Sequence, residues 1–206
     1  MILSDKHRFV FIHIPKTGGS SVTWNLRKEI NNLRGVDIDS VQPKKGWQGL
    51  FHVNGQHSGY LENEAFFREQ RGYYSFCFVR NPWSLAFSWF MALSRSSTTT
   101  ITPENFKKFL FSPPASHAGL MNRLQTSYIC NREGLIMMNY VAHYEQFDSE
   151  FDTLIKRLEI PGCENERQNV ANPNRLDYQD FYDIEGRDFI AHRYQLDIQN
   201  FSYKFE

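Results

Sequence analysis

Short apolar runs alternate along the chain with stretches whose apolar residues recur every three or four positions. RFVFIHI, stopping at Pro15, and YYSFCFV, stopping at Arg80, have the length and the β-branched and aromatic content of buried strands. LIMMNYVAHYEQF reads as a third core strand running into a loop, and LFHVNGQHSG as a short strand leading to a turn. Between these runs the period changes. Val22, Leu26, Ile30 and Leu33 make one apolar helix face. After Arg80, Asn81 suits an N-cap and Pro82 the first position of a helix bearing Trp83, Leu85, Phe87, Trp89, Phe90 and Met91. GLMNRLQTSYI is helical in pattern, a helix from about Ser149 to Leu158 ends at Pro161-Gly162, and a last helix lies around Glu185 to Tyr194. The connections are an irregular Asn32–Gly49 segment, a hydroxyl-rich loop at 94–103 and a surface loop with aromatic anchors at Asn172–Asp183. Strands alternating with helices predict an α/β fold, a mainly parallel central sheet flanked by helices. Its 206 residues fit one domain, residues 1–206.

Composition changes this picture in one respect. Apolar residues at 41% and charged residues at 22% are ordinary, whereas aromatics at 16% are abundant and predict an aromatic-rich core. The formal net charge is zero, so no global basic field draws nucleic acid or an anionic membrane, and any anion site is local. The apolar stretch Phe9–Ile14 is far too short to span a bilayer, and no signal-peptide pattern opens the chain, which predicts no membrane anchor and a cytoplasmic setting. Cys77, Cys130 and Cys163 are widely spaced and odd in number, a pattern of reduced thiols with Cys77 in the core.

The local anion site is predicted at IHIPKTGGSS. A strand that gives way to a glycine loop and then a helix turns several backbone N–H groups toward one point at the positive end of the helix dipole. Gly18 and Gly19 let the backbone approach an anion, Lys16 adds a positive charge, and Thr17, Ser20 and Ser21 add hydroxyls. The lysine precedes the glycine pair, so this is not the GxxxxGK[ST] loop of nucleoside triphosphatases.

The PKTGGSS run resembles the 5'-phosphosulfate loop of the sulfotransferases that use 3'-phosphoadenosine 5'-phosphosulfate (PAPS), especially those acting on carbohydrates. FVRNPWSLAFS resembles the same family's 3'-phosphate element, in which a serine follows the arginine by eight residues, here Arg80 and Ser88. Leu85 stands where the family often has a further arginine. AHYEQFDSEFDTLIKRLEI and the C-terminal YQLDIQNFSYKF are similar to later segments of these enzymes. The resemblance implies a P-loop-like domain with PAPS as co-substrate and no metal. It further implies a hydroxyl-bearing acceptor, a saccharide above all, with Lys16 steadying charge on the leaving group. It points to His57, in GQHSGY, as general base, with His52 as its close rival and Glu145 as a substitute. His13 reads as structural, and His117, His143 and His192 rank behind. Arg175 and Asn172 lie in a polar loop that either closes over the 3'-phosphate or base or stays solvated; Trp24 either stacks on the adenine or packs in the core. Two other classes stay open, a P-loop kinase, for which the lysine spacing and an acidic magnesium motif are wanting, and a non-catalytic nucleotide- or glycan-binding module.

Overall fold

Phe9, Val10, Phe11 and Ile12 are all fully buried, which successive strand residues achieve only when both faces of the sheet are covered. They form β2 (Phe9–Ile12) in the computed structural model, which describes residues 1–30, 50–52, 55–69, 72–95, 97–160, 163 and 176–206. With β1 (Ile2–Ser4), β3 (Leu50–His52), β4 (Tyr74–Val79) and β5 (Tyr140–His143) it makes a five-stranded sheet in the order β3-β1-β2-β4-β5. β2 pairs with β4 and β4 with β5 in parallel, while β1 is antiparallel to both β2 and β3. Four of the five strands therefore run in one direction, and the expected α/β class with a mainly parallel sheet is what the chain adopts.

The chain forms two compact units, Met1–Val79 with Ser127–Asn169, and Arg80–Thr126 with Val170–Glu206. In the first, α1 (Gly19–Ile30) contributes Val22 and Leu26 to a core that also holds Phe9, Phe11, Phe76 and Phe78 of the sheet and Phe147, Phe151 and Leu154 of α7 (Phe147–Arg157). Phe11 and Phe76 face each other in register, rings 5.1 Å apart. Here too lies α2 (Glu64–Glu69). In the second, α3 (Pro82–Ser94), α4 (Pro103–Phe111), α5 (Ala115–Asn122), α8 (Ile184–Arg193) and α9 (Gln195–Phe201) gather around an aromatic cluster. Phe106 is at its middle, in ring contact with Phe87, Phe90, Phe109, Phe181 and Tyr182. α6 (Thr126–Ile129) begins where the chain passes from the second unit back to the first. No helix among the described residues is long and apolar enough to cross a membrane.

Local chemistry accounts for the differences from the sequence expectations. The strand read as RFVFIHI leaves the ladder at Ile12, because the Ile14 amide folds back on the Ile12 carbonyl (3.2 Å). The third strand is shorter than its apolar run: Asn131 Oδ1 accepts from the amides of Glu133 and Leu135 and turns the chain before Tyr140, leaving Leu135, Ile136 and Met137 exposed. Asn81 caps α3 from the expected position, accepting from the Trp83 amide (3.1 Å), with Pro82 first in the helix. α4, which the hydroxyl-rich loop obscured, starts with Thr102 as N-cap, Pro103 and Glu104. Tyr194 divides the last helical stretch into α8 and α9. The Asn32–Gly49 connection falls outside the described residues, and Trp24 is 46% exposed, off the apolar stripe.

Because Phe106 is fully buried among five rings, Phe106→Ala should lower stability by about 3–5 kcal/mol. Urea unfolding should show a lower midpoint with an unchanged slope.

Candidate active site

β2 and β4 are neighbours, and each delivers the chain, at its carboxyl end, to one of the two segments singled out in the sequence. That end of a parallel sheet is where α/β proteins place ligands. Beyond β2, Lys16 has φ +66° and Gly18 φ +86°, while Thr17 between them stays at negative φ. Alternating signs of φ turn successive N–H groups inward and make an anion-binding nest. A left-handed lysine costs on the order of 1 kcal/mol, so the surrounding structure has to impose it. Part of that constraint comes from Thr17, which is fully buried and donates its hydroxyl to the Ile14 carbonyl (2.9 Å). The Gly18 carbonyl then accepts from the amides of Ser21 and Val22 and opens α1. The amides ahead of Ser21 belong to the helix N-terminus and have no place in its internal ladder, so they are suited to an anion.

The glycine pair serves two different needs. Gly18 needs its positive φ, and a methyl on it would also lie 2.8 Å from the Phe147 ring. Gly19 makes room for a histidine: a methyl there would lie 2.0 Å from Cδ2 of His13 and 2.1 Å from its Nε2. His13 is buried, stacks on Phe11 with ring centres 5.6 Å apart, and has Nδ1 3.2 Å from the side-chain amide nitrogen of Gln56. An amide nitrogen only donates, so His13 Nδ1 accepts and the ring proton of the neutral imidazole is on Nε2, the atom against Gly19.

His57 meets the same residue from the other side. Its ring packs edge-on against that of His13 (4.7 Å, 69°), and its Nδ1 lies 2.8 Å from the His13 carbonyl oxygen. A carbonyl only accepts, so Nδ1 carries the proton and Nε2 is the basic nitrogen of the neutral ring. His13 thus joins the anion loop, through its ring, to the second histidine, through its backbone. The sequence reading of His13 as structural missed that link, for which the signal was its place next to the strand end.

In the second unit, Arg80 follows the last residue of β4, and its Nε donates to Ser84 Oγ (2.9 Å). Ser88, one turn further along α3, is buried. The Arg80 backbone is held by Gln125: Oε1 accepts from the Arg80 amide and Nε2 donates to the Arg80 carbonyl, both at 2.7 Å. Behind Gln125 is Asp197, fully buried, accepting from the amides of Gln125 (2.9 Å) and Thr126 (2.8 Å) and from the Thr126 hydroxyl (2.7 Å). Burial raises the Asp197 pKa above the usual carboxylate value, opposed by these hydrogen bonds. Neither Gln125 nor Asp197 is distinctive in sequence.

Arg175 and Asn172 lie outside the described residues, and of His52 only its backbone pairing with Ile2 is described. Glu145 is exposed in the turn after β5, His143 closes that strand, and His117 and His192 belong to the second unit. Among the described residues no cluster of three or more His, Cys, Asp or Glu could hold a metal ion.

The family model for the sulfotransferase family matches residues 1–204. The chain belongs to the sulfotransferase family. No curated protein and no solved structure matches it. As a sulfotransferase it takes a sulfuryl group from PAPS to a hydroxyl-bearing acceptor. The nest at 16–18, with a lysine within it and the N-terminus of α1 following, fits an anionic donor of this kind.

Gly19→Ala should force the His13 ring out of place and lower stability by about 1–3 kcal/mol. Gly119→Ala, in α5 with nothing within 4 Å of an added methyl, should instead raise stability by about 0.5–1 kcal/mol. Thermal melts of the two variants test whether the glycine at 19 is there for space.

Proposed function

We propose that the acceptor is a saccharide hydroxyl, that His57 removes its proton, and that residues 1–206 act as one catalytic domain. The observation that carries the base assignment is the hydrogen bond from His57 Nδ1 to the His13 carbonyl, which makes Nε2 the proton-accepting nitrogen. A ring held in one tautomer by a fixed acceptor is how a histidine base is kept ready. The saccharide rests on the likeness of Pro15-Lys16-Thr17-Gly18-Gly19-Ser20-Ser21 to the loops of carbohydrate sulfotransferases.

PAPS supplies a sulfuryl group on a phosphate leaving group. In this reading Lys16, the nest amides and the hydroxyls of Ser20 and Ser21 hold the 5'-phosphosulfate, and Lys16 with the amides steadies charge on the oxygen that departs. Thr17 shapes the loop from within, its hydroxyl proton being given to Ile14. Arg80 and Ser88 hold the 3'-phosphate, with Arg175 in support, and so fix the register of the reacting sulfur.

Incubating the protein with PAPS and a panel of saccharides, phenols and aliphatic alcohols, and reading the mass gain of a sulfate, should show transfer to the saccharides. Transfer confined to the phenols or alcohols would remove the saccharide assignment. On the acceptor so found, His57→Ala should lower turnover about a hundred- to ten-thousandfold while binding of 3'-phosphoadenosine 5'-phosphate (PAP) holds steady. Near-normal turnover in that variant would shift the base to His52, tested in parallel. Arg80→Ala should weaken PAP binding by about 2–5 kcal/mol in calorimetry, and an unchanged affinity would take Arg80 out of the donor site.

A further inference from the structure

We infer that Gln125, held by the buried carboxylate of Asp197, is the positioning residue that sets Arg80 for the donor's 3'-phosphate. The inference rests on the reading that Arg80 binds that phosphate.

Arg80 lies one residue beyond the β4 ladder with β5, which ends at the pair Val79 and His143. Gln125 supplies what a strand neighbour would, an acceptor for the Arg80 amide and a donor for its carbonyl, both at 2.7 Å. One planar side-chain amide that grips both polar groups of one residue fixes the peptide planes on either side of its Cα, and with them the direction of the Cα–Cβ bond from which the arginine side chain starts. Gln125 is itself nearly inaccessible and is placed by its neighbours, because Asp197 takes its amide on one carboxylate oxygen and the amide and hydroxyl of Thr126 on the other. Asn200 adds a donor to the same Thr126 hydroxyl (3.1 Å). Placing a wholly buried carboxylate against backbone amides is expensive unless every bond is made, so this arrangement permits little play in residues 125 and 126. The same bonds explain why the helical pattern of GLMNRLQTSYI breaks between α5 and α6. Gln125 touches no reacting atom in this scheme. Its effect passes through Arg80, whose own side chain is further oriented by Ser84.

The test compares calorimetric affinities for PAP and for adenosine 5'-monophosphate, which lacks the 3'-phosphate, in wild type, Arg80→Ala, Gln125→Met and the double variant. Gln125→Met keeps the volume and removes both bonds to Arg80. The expected result is a PAP affinity lower by about ten- to a hundredfold, as when an outer partner of a binding residue is lost, with adenosine 5'-monophosphate affinity unchanged. In the Arg80→Ala background the same substitution should add almost nothing, since its effect is routed through the arginine. With PAPS as substrate, KM for PAPS should rise while kcat at saturation stays near wild type. If Gln125→Met does not fold, Asp197→Asn serves: its single acceptor oxygen cannot take both the Gln125 amide and, on the other side, the Thr126 amide and hydroxyl, so one end of the 125–126 anchor is released. That change removes a negative charge, which by Coulomb attraction alone would strengthen phosphate binding, so a selective loss of PAP affinity still reports positioning. If Arg80→Ala leaves the PAP preference intact, the reading of Arg80 as the phosphate ligand is wrong. If Arg80→Ala abolishes the preference while Gln125→Met and Asp197→Asn keep it, the reading of Arg80 stands and the inference about Gln125 is overturned.

Discussion

The hydrogen bond from His57 Nδ1 to the carbonyl of His13 is the interaction on which the arrangement of the first unit's candidate site depends. It settles where the imidazole proton is, and therefore which nitrogen is basic. It also ties a turn that is remote in sequence to the first residue beyond β2. That residue inherits the rigidity of the sheet, because Ile12 just before it is in register with Cys77. The ring of His13 is wedged over Gly19 and its Nδ1 takes the Gln56 amide. A displacement of His13 would therefore be felt at once by the anion loop and by the second histidine.

The two strands that carry the anchoring segments were legible because buried parallel strands leave unbroken apolar runs, and Phe9–Ile12 and Tyr74–Val79 are such runs. The capped start of α3 was legible because Asn81-Pro82 acts locally. β1 was not, since three residues carry no periodicity and Ile2–Ser4 is defined by pairing with strands on both sides. The glycine loop announced itself by composition, but the division of labour within it did not. Gly18 is required by its φ and by the Phe147 ring, Gly19 by the His13 ring, and both rings come from other elements. Gln125 and Asp197 left no mark for the same reason, their partners being 45 and 72 residues away in sequence.

The Lys16 backbone is strained and Thr17 spends its hydroxyl inside the loop, and these two facts belong together. A flexible glycine loop would collapse around an anion only after losing conformational freedom, and that ordering cost would be subtracted from binding. A loop already folded into the nest by a buried threonine and by aromatic contacts from Phe147 and Tyr144 has met that cost during folding. Its amides are then oriented before any charge develops, which is the condition under which fixed dipoles are most effective.

The second unit applies the same logic to a side chain that cannot be made rigid by packing alone. A long arginine has many rotamers, and a single ion pair to a phosphate would leave most of them open. Fixing the backbone on both sides through Gln125, and the Nε through Ser84, removes freedom at the base of the side chain and near its head. Asp197 is suited to the deepest position in that arrangement because a carboxylate has acceptor sites for three donors at once, and a neutral side chain of the same size does not. Its burial is unfavourable for the charge and tolerable only with those donors in place, so the site's order and the cost of the buried charge are set by the same three hydrogen bonds.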